Sequence, residues 1–170
     1  GRNHIPYSPI IKTTYVDKQN NLWIKSQRSF IKMFFPPNPY TYKELDDYFD
    51  TKSFLFDSGG HLWIATKKGT IRIMDSQKNL LGYLSPDGEL IQTEAVFAEG
   101  GIYVMKKDQA QTIWIGSKEN GLFKLVPQSR PYHYEVYHYM NNPSDPYSIS
   151  DNKISCIDED HNGRIWIGTY

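Results

Sequence analysis

The chain has 170 residues, and its 19 Lys and Arg are matched by 19 Asp and Glu. A formal charge of zero argues against a nucleic-acid partner, which calls for a basic face. With 13 Tyr, 8 Phe and 4 Trp, the chain favours pleated, half-buried strands over helices, so an all-β fold is expected. Cys156 is the only cysteine, which excludes an internal disulfide and leaves the compartment open. No apolar run approaches the roughly 20 residues of a membrane span, so no membrane contact is expected of this segment. No leader opens the chain, and Gly1 reads as a tag scar; a piece cut from a longer protein accounts for these absences together.

Self-similarity organises the chain. Trp23, Trp63, Trp114 and Trp166 each stand six residues after an aspartate: Asp17, Asp57, Asp108 and Asp160. Each Trp has Leu or Ile before it and Ile after it, then one variable residue (Lys25, Ala65, Gly116, Gly168) and a hydroxyl (Ser26, Thr66, Ser117, Thr169). In chain order, strands are expected at residues 12–16, around Trp23, and at 29–34. They recur at 53–56, around Trp63, at 70–74 and 80–84. A third set falls at 102–105, around Trp114, at 121–126 and 133–140, and the last at 153–157 and around Trp166.

The segments Asp57-Ser58-Gly59-Gly60 and Asp160-His161-Asn162-Gly163 fit tight turns, the Asp side chain accepting backbone N–H groups two residues on. Asn20 and Gln111 replace the last Gly in the first and third copies, so looser turns are expected there. The Trp-centred runs read as strands covered on both faces. Tryptophans recur at intervals of 40, 51 and 52 residues, the spacing of β-propeller blades. The expected architecture is a β-propeller fragment of about three and a half blades. Its repeats lie near 11–50, 51–98, 99–140 and 151–170 (the last incomplete), with 141–150 a connector.

Residues Asp160-His161-Asn162-Gly163-Arg164-Ile165-Trp166-Ile167-Gly168-Thr169 resemble the two-component regulator propeller repeat. The preceding Asn141 to Ser150 resembles the connector that often introduces it, and Gly121-Leu122-Phe123 matches the family's step into the next strand. The first and second copies depart there, with Ser29-Phe30 and Gly69-Thr70. The resemblance implies the periplasmic sensor region of a hybrid two-component system, an ectodomain of an inner-membrane protein that detects glycan fragments and signals to a histidine kinase.

The repeated tryptophans and aspartates are expected to be architectural: rings packed between blades, carboxylates closing turns. Spacing separates the aspartates from the sialidase Asp-box, where Gly follows Asp by two residues and Trp by five. In the segment from Tyr132 to Tyr139, His133 and His138 are expected on opposite strand faces, which argues against shared metal ligation. Cys156, between Ile154 and Ile157, is expected to be a buried small hydrophobe. If the fragment touches an oligosaccharide, the loops after the second strand of each blade are the candidates: Gln27 and Arg28, Lys67 and Lys68, Glu119 and Asn120. No cofactor, metal site or catalytic constellation is expected, and self-association through open blade edges is. The alternative readings are a propeller enzyme acting on glycans (lyase or glycosidase) and a protein–protein scaffold.

Overall fold

The computed structural model describes residues 11–19, 21–26, 29–33, 41–44 and 51–170, in two compact units, Gly1–Asp50 and Thr51–Tyr170. The first unit holds one antiparallel sheet, ordered β1 (Ile11–Val16), β2 (Leu22–Ser26), β3 (Ser29–Met33), β4 (Thr41–Glu44). The second holds three sheets. One runs β5 (Thr51–Phe56), β6 (Leu62–Thr66), β7 (Ile71–Met74), β8 (Leu80–Leu84), β9 (Leu90–Ile91). The next runs β10 (Ile102–Lys107), β11 (Ile113–Ser117), β12 (Leu122–Pro127), β13 (Tyr134–Tyr139). The last is the pair β14 (Ile154–Glu159) and β15 (Ile165–Thr169). Every pairing is antiparallel between neighbours in sequence, as in propeller blades. Expected strands match observed ones within a residue or two; Phe34 and Asn20 lie outside the described residues.

The Asp–Trp spacing has a direct cause. In all four copies the indole Nε1–H donates to the aspartate Oδ2: Trp23 to Asp17 at 2.9 Å, Trp63 to Asp57 at 3.1 Å, Trp114 to Asp108 at 2.8 Å and Trp166 to Asp160 at 3.1 Å. The other oxygen, Oδ1, accepts the backbone N–H four residues on, from Asn21, His61, Thr112 and Arg164 at 2.8–3.0 Å. One carboxylate thus ties the turn to the strand that follows it. Burial works to raise the Asp17 carboxyl, but hydrogen bonds from Trp23, Asn21 and Gln19 outweigh it and hold the group below the ordinary carboxylate range. Asp160 is also held low, chiefly by the Arg164 N–H, with Trp166 and Asn162 adding to it.

The turn of the third copy is as closed as the others. Gln111 N–H donates to Asp108 C=O at 3.1 Å, against 3.2 Å for Gly60 to Asp57 and 3.0 Å for Gly163 to Asp160. Gln111 achieves this by taking the left-handed conformation, φ 68°, which costs a non-glycine residue about 1–2 kcal/mol. The expected looseness is replaced by backbone strain.

A second feature repeats in every sheet. The first strand carries a bulge, between Ile11 and Thr13, Thr51 and Ser53, Ile102 and Val104, and Ile154 and Cys156. Opposite it stands the variable residue of the repeat. At Gly116 a Cβ would lie 2.6 Å from Ile154 Cγ2 and 2.7 Å from Val104 Cγ1. The first strand of the following sheet therefore presses on this backbone, and a small residue is required there.

Between the first two sheets of the second unit, Leu55, Trp63, Ile73, Ile102, Ile115 and Leu125 belong to one core. Tyr134 meets the Trp63 ring edge-on at 5.4 Å; burial, then the Asp57 carboxylate, push its phenol well above the ordinary range. A smaller core of Leu122, Ile154 and Ile157 joins β12 to β14, with Trp114 packed against it.

Tryptophan burial depends on the sheet that follows. Trp63, covered by a complete sheet, is 0% exposed; Trp114, covered by the pair β14–β15, is partly exposed; Trp166 is 62% exposed. The expectation of core packing fails for Trp166 because no described element covers its face. Cys156 is exposed rather than buried. After the bulge the burial pattern of β14 sets it apart from the buried Ile154 and Ile157, with its Sγ beside Gly168. In the first unit Trp23 is 6% exposed, with Lys32 Nζ 5.1 Å from its ring centre.

Candidate functional site

The repeat hydroxyl closes the loop after the second strand. In the second copy Thr66 N–H donates to Thr70 C=O at 3.0 Å, and the Thr66 and Thr70 hydroxyls share a hydrogen bond of 2.9 Å. In the third, Ser117 N–H and Oγ both donate to Gly121 C=O at 3.0 Å, and Oγ accepts the Asn120 N–H at 2.6 Å. Both hydroxyl residues are buried, while Lys67, Lys68 and Glu119 are held outward and exposed.

Counted from these pairings, Lys118 and Glu119 occupy the places of Lys67 and Lys68, one residue earlier than the sequence expectation. Asn120 serves the turn: besides its N–H bond, its C=O lies 2.7 Å from His138 Nε2. Gln27 and Arg28 lie outside the described residues.

Gly101 brings the two loops together. Its C=O accepts the Lys118 N–H at 2.9 Å, and its Cα packs so tightly that a Cβ would lie 2.3 Å from Lys67 C=O. A Cβ at Gly100 would lie 3.2 Å from the Glu119 side chain, a looser approach. The connector before each following sheet docks on the same loops, through Phe97 N–H to Gly69 C=O at 2.8 Å and Gly121 N–H to Asn152 C=O at 2.9 Å. The result is one polar rim of Lys67, Lys68, Lys118 and Glu119. Lys118 Nζ pairs with Glu119 Oε1 at 2.9 Å, and that hydrogen bond raises the lysine. An exposed pair of this kind adds little stability.

The connector Asn141 to Asp151 is a folded loop. Asn141 N–H donates to Asn152 Oδ1 and its Nδ2 to Ile149 C=O, both at 2.7 Å, while Ser148 Oγ takes the Asn142 N–H at 2.9 Å. Tyr147 stands at its tip, 95% exposed.

One groove, lined by Glu135 and Val136 from opposite faces of β13, is also bordered by His133 and His138. Their rings are engaged separately: His133 Nδ1 with Glu89 Oε1 at 3.1 Å, and His138 stacked on Phe123 at 4.1 Å. Among the described residues no cluster of three or more His, Cys, Asp or Glu could hold a metal.

This blade geometry recurs in solved structures. Over 99% of the chain and 21% of the other, it is similar to the extracellular domain of BT4673 from B. thetaiotaomicron, with 19% identity and a TM-score of 0.69. That protein is described both as a one-component and as a hybrid two-component system. A second B. thetaiotaomicron extracellular domain, that of BT3049, described as a hybrid two-component system, shows 22% identity over 92% of this chain and 20% of that one, with a TM-score of 0.65. The β-propeller domain of Myceliophteria thermophila Cps50 (Swd1) gives 13% identity over 88% and 49%, with a TM-score of 0.61.

The sheets are propeller blades. Residues 148–170 match the sequence pattern of the family described as two component regulator propeller, the stretch that covers the end of the folded connector, β14 and β15. The chain spans about a fifth of the length of the two B. thetaiotaomicron domains it matches. No curated protein matches it.

Proposed function

We propose that this chain is a non-catalytic segment of a β-propeller sensor domain in a hybrid two-component system. The domain faces the periplasm, detects glycan fragments and signals to a histidine kinase. The match of residues 148–170 to the two component regulator propeller family carries this reading. Its support is the blade geometry, shared with extracellular domains of such systems. A ligand acts in such a sensor only through a difference in affinity between two signalling states, and rigid blades joined at Gly101 and the connectors suit that task. The rim of Lys67, Lys68, Lys118 and Glu119 is the surface proposed for contact with an oligosaccharide.

The test uses the intact protein in its own bacterium. Growth on the cognate glycan should induce a set of glycan-utilisation genes at least tenfold, and deletion of this gene should abolish the induction. Unchanged induction in the deletion strain on every glycan tried would overturn the sensor reading. Hydrolysis or elimination of a glycan by the purified chain would favour a propeller enzyme instead.

A further inference from the structure

The outer edges of two successive blades are finished differently. In the sheet β5–β9 the strand β8 is not the edge: β9 pairs with it antiparallel, Tyr83 opposite Ile91 and Leu84 opposite Leu90. In the sheet β10–β13 no fifth strand covers β13 among the described residues. Only the start of that edge is engaged. Tyr134 N–H donates to Gly88 C=O at 2.9 Å, and Glu89 forms an antiparallel bridge with His133.

The remaining edge groups follow from the register. β13 pairs with β12 as Pro127 with Tyr134, Leu125 with Val136 and Phe123 with His138. Backbone groups in antiparallel strands alternate in direction. Tyr134 N–H points outward to Gly88, so the N–H and C=O of Val136 and His138 also point outward. None of them has a hydrogen-bond partner among the described residues. Beside this edge runs a groove of about 640 Å³, walled by Val136, Tyr134 and the stacked rings of Phe123 and His138, with Asp87 at one side.

We infer that the β13 edge is a docking site for an extended peptide segment of a partner protein, which adds to the blade as its fifth strand. The strand β9 is the template: a short antiparallel segment with consecutive apolar residues on the outermost strand. The bridge at Glu89 and Gly88 already starts the pairing that the incoming segment continues past Val136 and His138. Main-chain hydrogen bonds supply affinity in such strand addition, and side-chain pockets supply selectivity. An apolar residue facing Val136 and Phe123 fits the groove, and a basic residue beside it complements Asp87. Open strand edges attract such pairing unless something blocks them.

The test is an NMR titration of the whole 170-residue chain with a blocked synthetic hexapeptide, two leucines flanked by lysines. The expected result is saturable amide shifts centred on Val136 and His138, with exchange of those two amides slowed at least tenfold. Val136→Pro deletes one outward N–H at an edge, where proline is tolerated, and should abolish the shifts while thermal unfolding stays within a few degrees. Asp87→Asn should weaken the probe at least threefold. A hexapeptide of glycine and serine should not bind. Absence of shifts at millimolar probe, shifts centred on Trp166 or the lysine rim, or binding unchanged by Val136→Pro would each overturn the inference. None of these outcomes bears on glycan sensing, which is read in the deletion strain.

Discussion

Replacing Trp63 with alanine should destabilise the chain by about 3–5 kcal/mol. The ring is 0% exposed in the core between two blades. Burying a tryptophan removes roughly 150–250 Å² from water, about 4–6 kcal/mol as an upper bound. The substitution also takes the edge-on partner from Tyr134 and the indole donor from Asp57. The same substitution at Trp166 should cost under about 1 kcal/mol, because a ring 62% exposed gives up little buried surface. Trp114→Ala should fall between them. Urea unfolding midpoints at constant slope read the three values. Equal losses at Trp63 and Trp166 would show that these rings do not owe their burial to the following blade.

Gly69→Ala should cost about 3 kcal/mol or more, from a single added methyl group. Gly69 has φ +84°, and its Cβ would lie 1.8 Å from Ala98 C=O and 2.9 Å from the same carbonyl carbon. Both atoms are backbone, so no rotamer change relieves the clash. The connector would have to move, breaking the hydrogen bonds from Phe97 N–H and Ala98 N–H to Gly69 C=O, at 2.8 Å and 3.2 Å. Gly60→Ala is the control. It has φ +79° with nothing within 4 Å of its Cβ, so only the conformational cost of about 1–2 kcal/mol is expected. The difference between the two midpoints isolates the close approach of connector and loop. Similar midpoints would mean that this approach contributes nothing.

Local features of the fold were legible in the sequence wherever the repeat stated them. The six-residue step from Asp to Trp, the apolar triplet and the hydroxyl each have a fixed partner inside the same copy. That is why the strands around Trp63 and Trp114 were found to within a residue or two. The indole–carboxylate bond has no signature of its own in the sequence, although its two partners are the most regular pair in the chain. Strand β9 carries no signal because two residues leave no room for a pattern, and β4 because Thr-Tyr-Lys-Glu lacks the apolar residues that mark β7. The exposure of Trp166 and Cys156 could not be read either, since burial of one blade's face is decided by the next blade. At the candidate site, the loop after the hydroxyl is local and was found. Its union with the neighbouring loop through Gly101 is tertiary, and carries no signal beyond a pair of glycines. The groove beside β13 depends on where a neighbouring turn stops pairing, which no local pattern encodes.

The central structural claim is that each copy is a blade whose tryptophan is bonded to its own aspartate, and that Trp63 and Trp114 are covered by the blade that follows. Hydrogen exchange of the indole N–H protons tests it directly, because all four are hydrogen-bonded to aspartate and differ in cover. Protection in native-state exchange follows the opening needed to reach each proton. The account expects the Trp63 indole to exchange slowest, Trp114 faster and Trp166 fastest, separated from Trp63 by at least a hundredfold. A Trp166 proton as slow as that of Trp63, or a Trp63 proton exchanging as freely as an exposed indole, would contradict it.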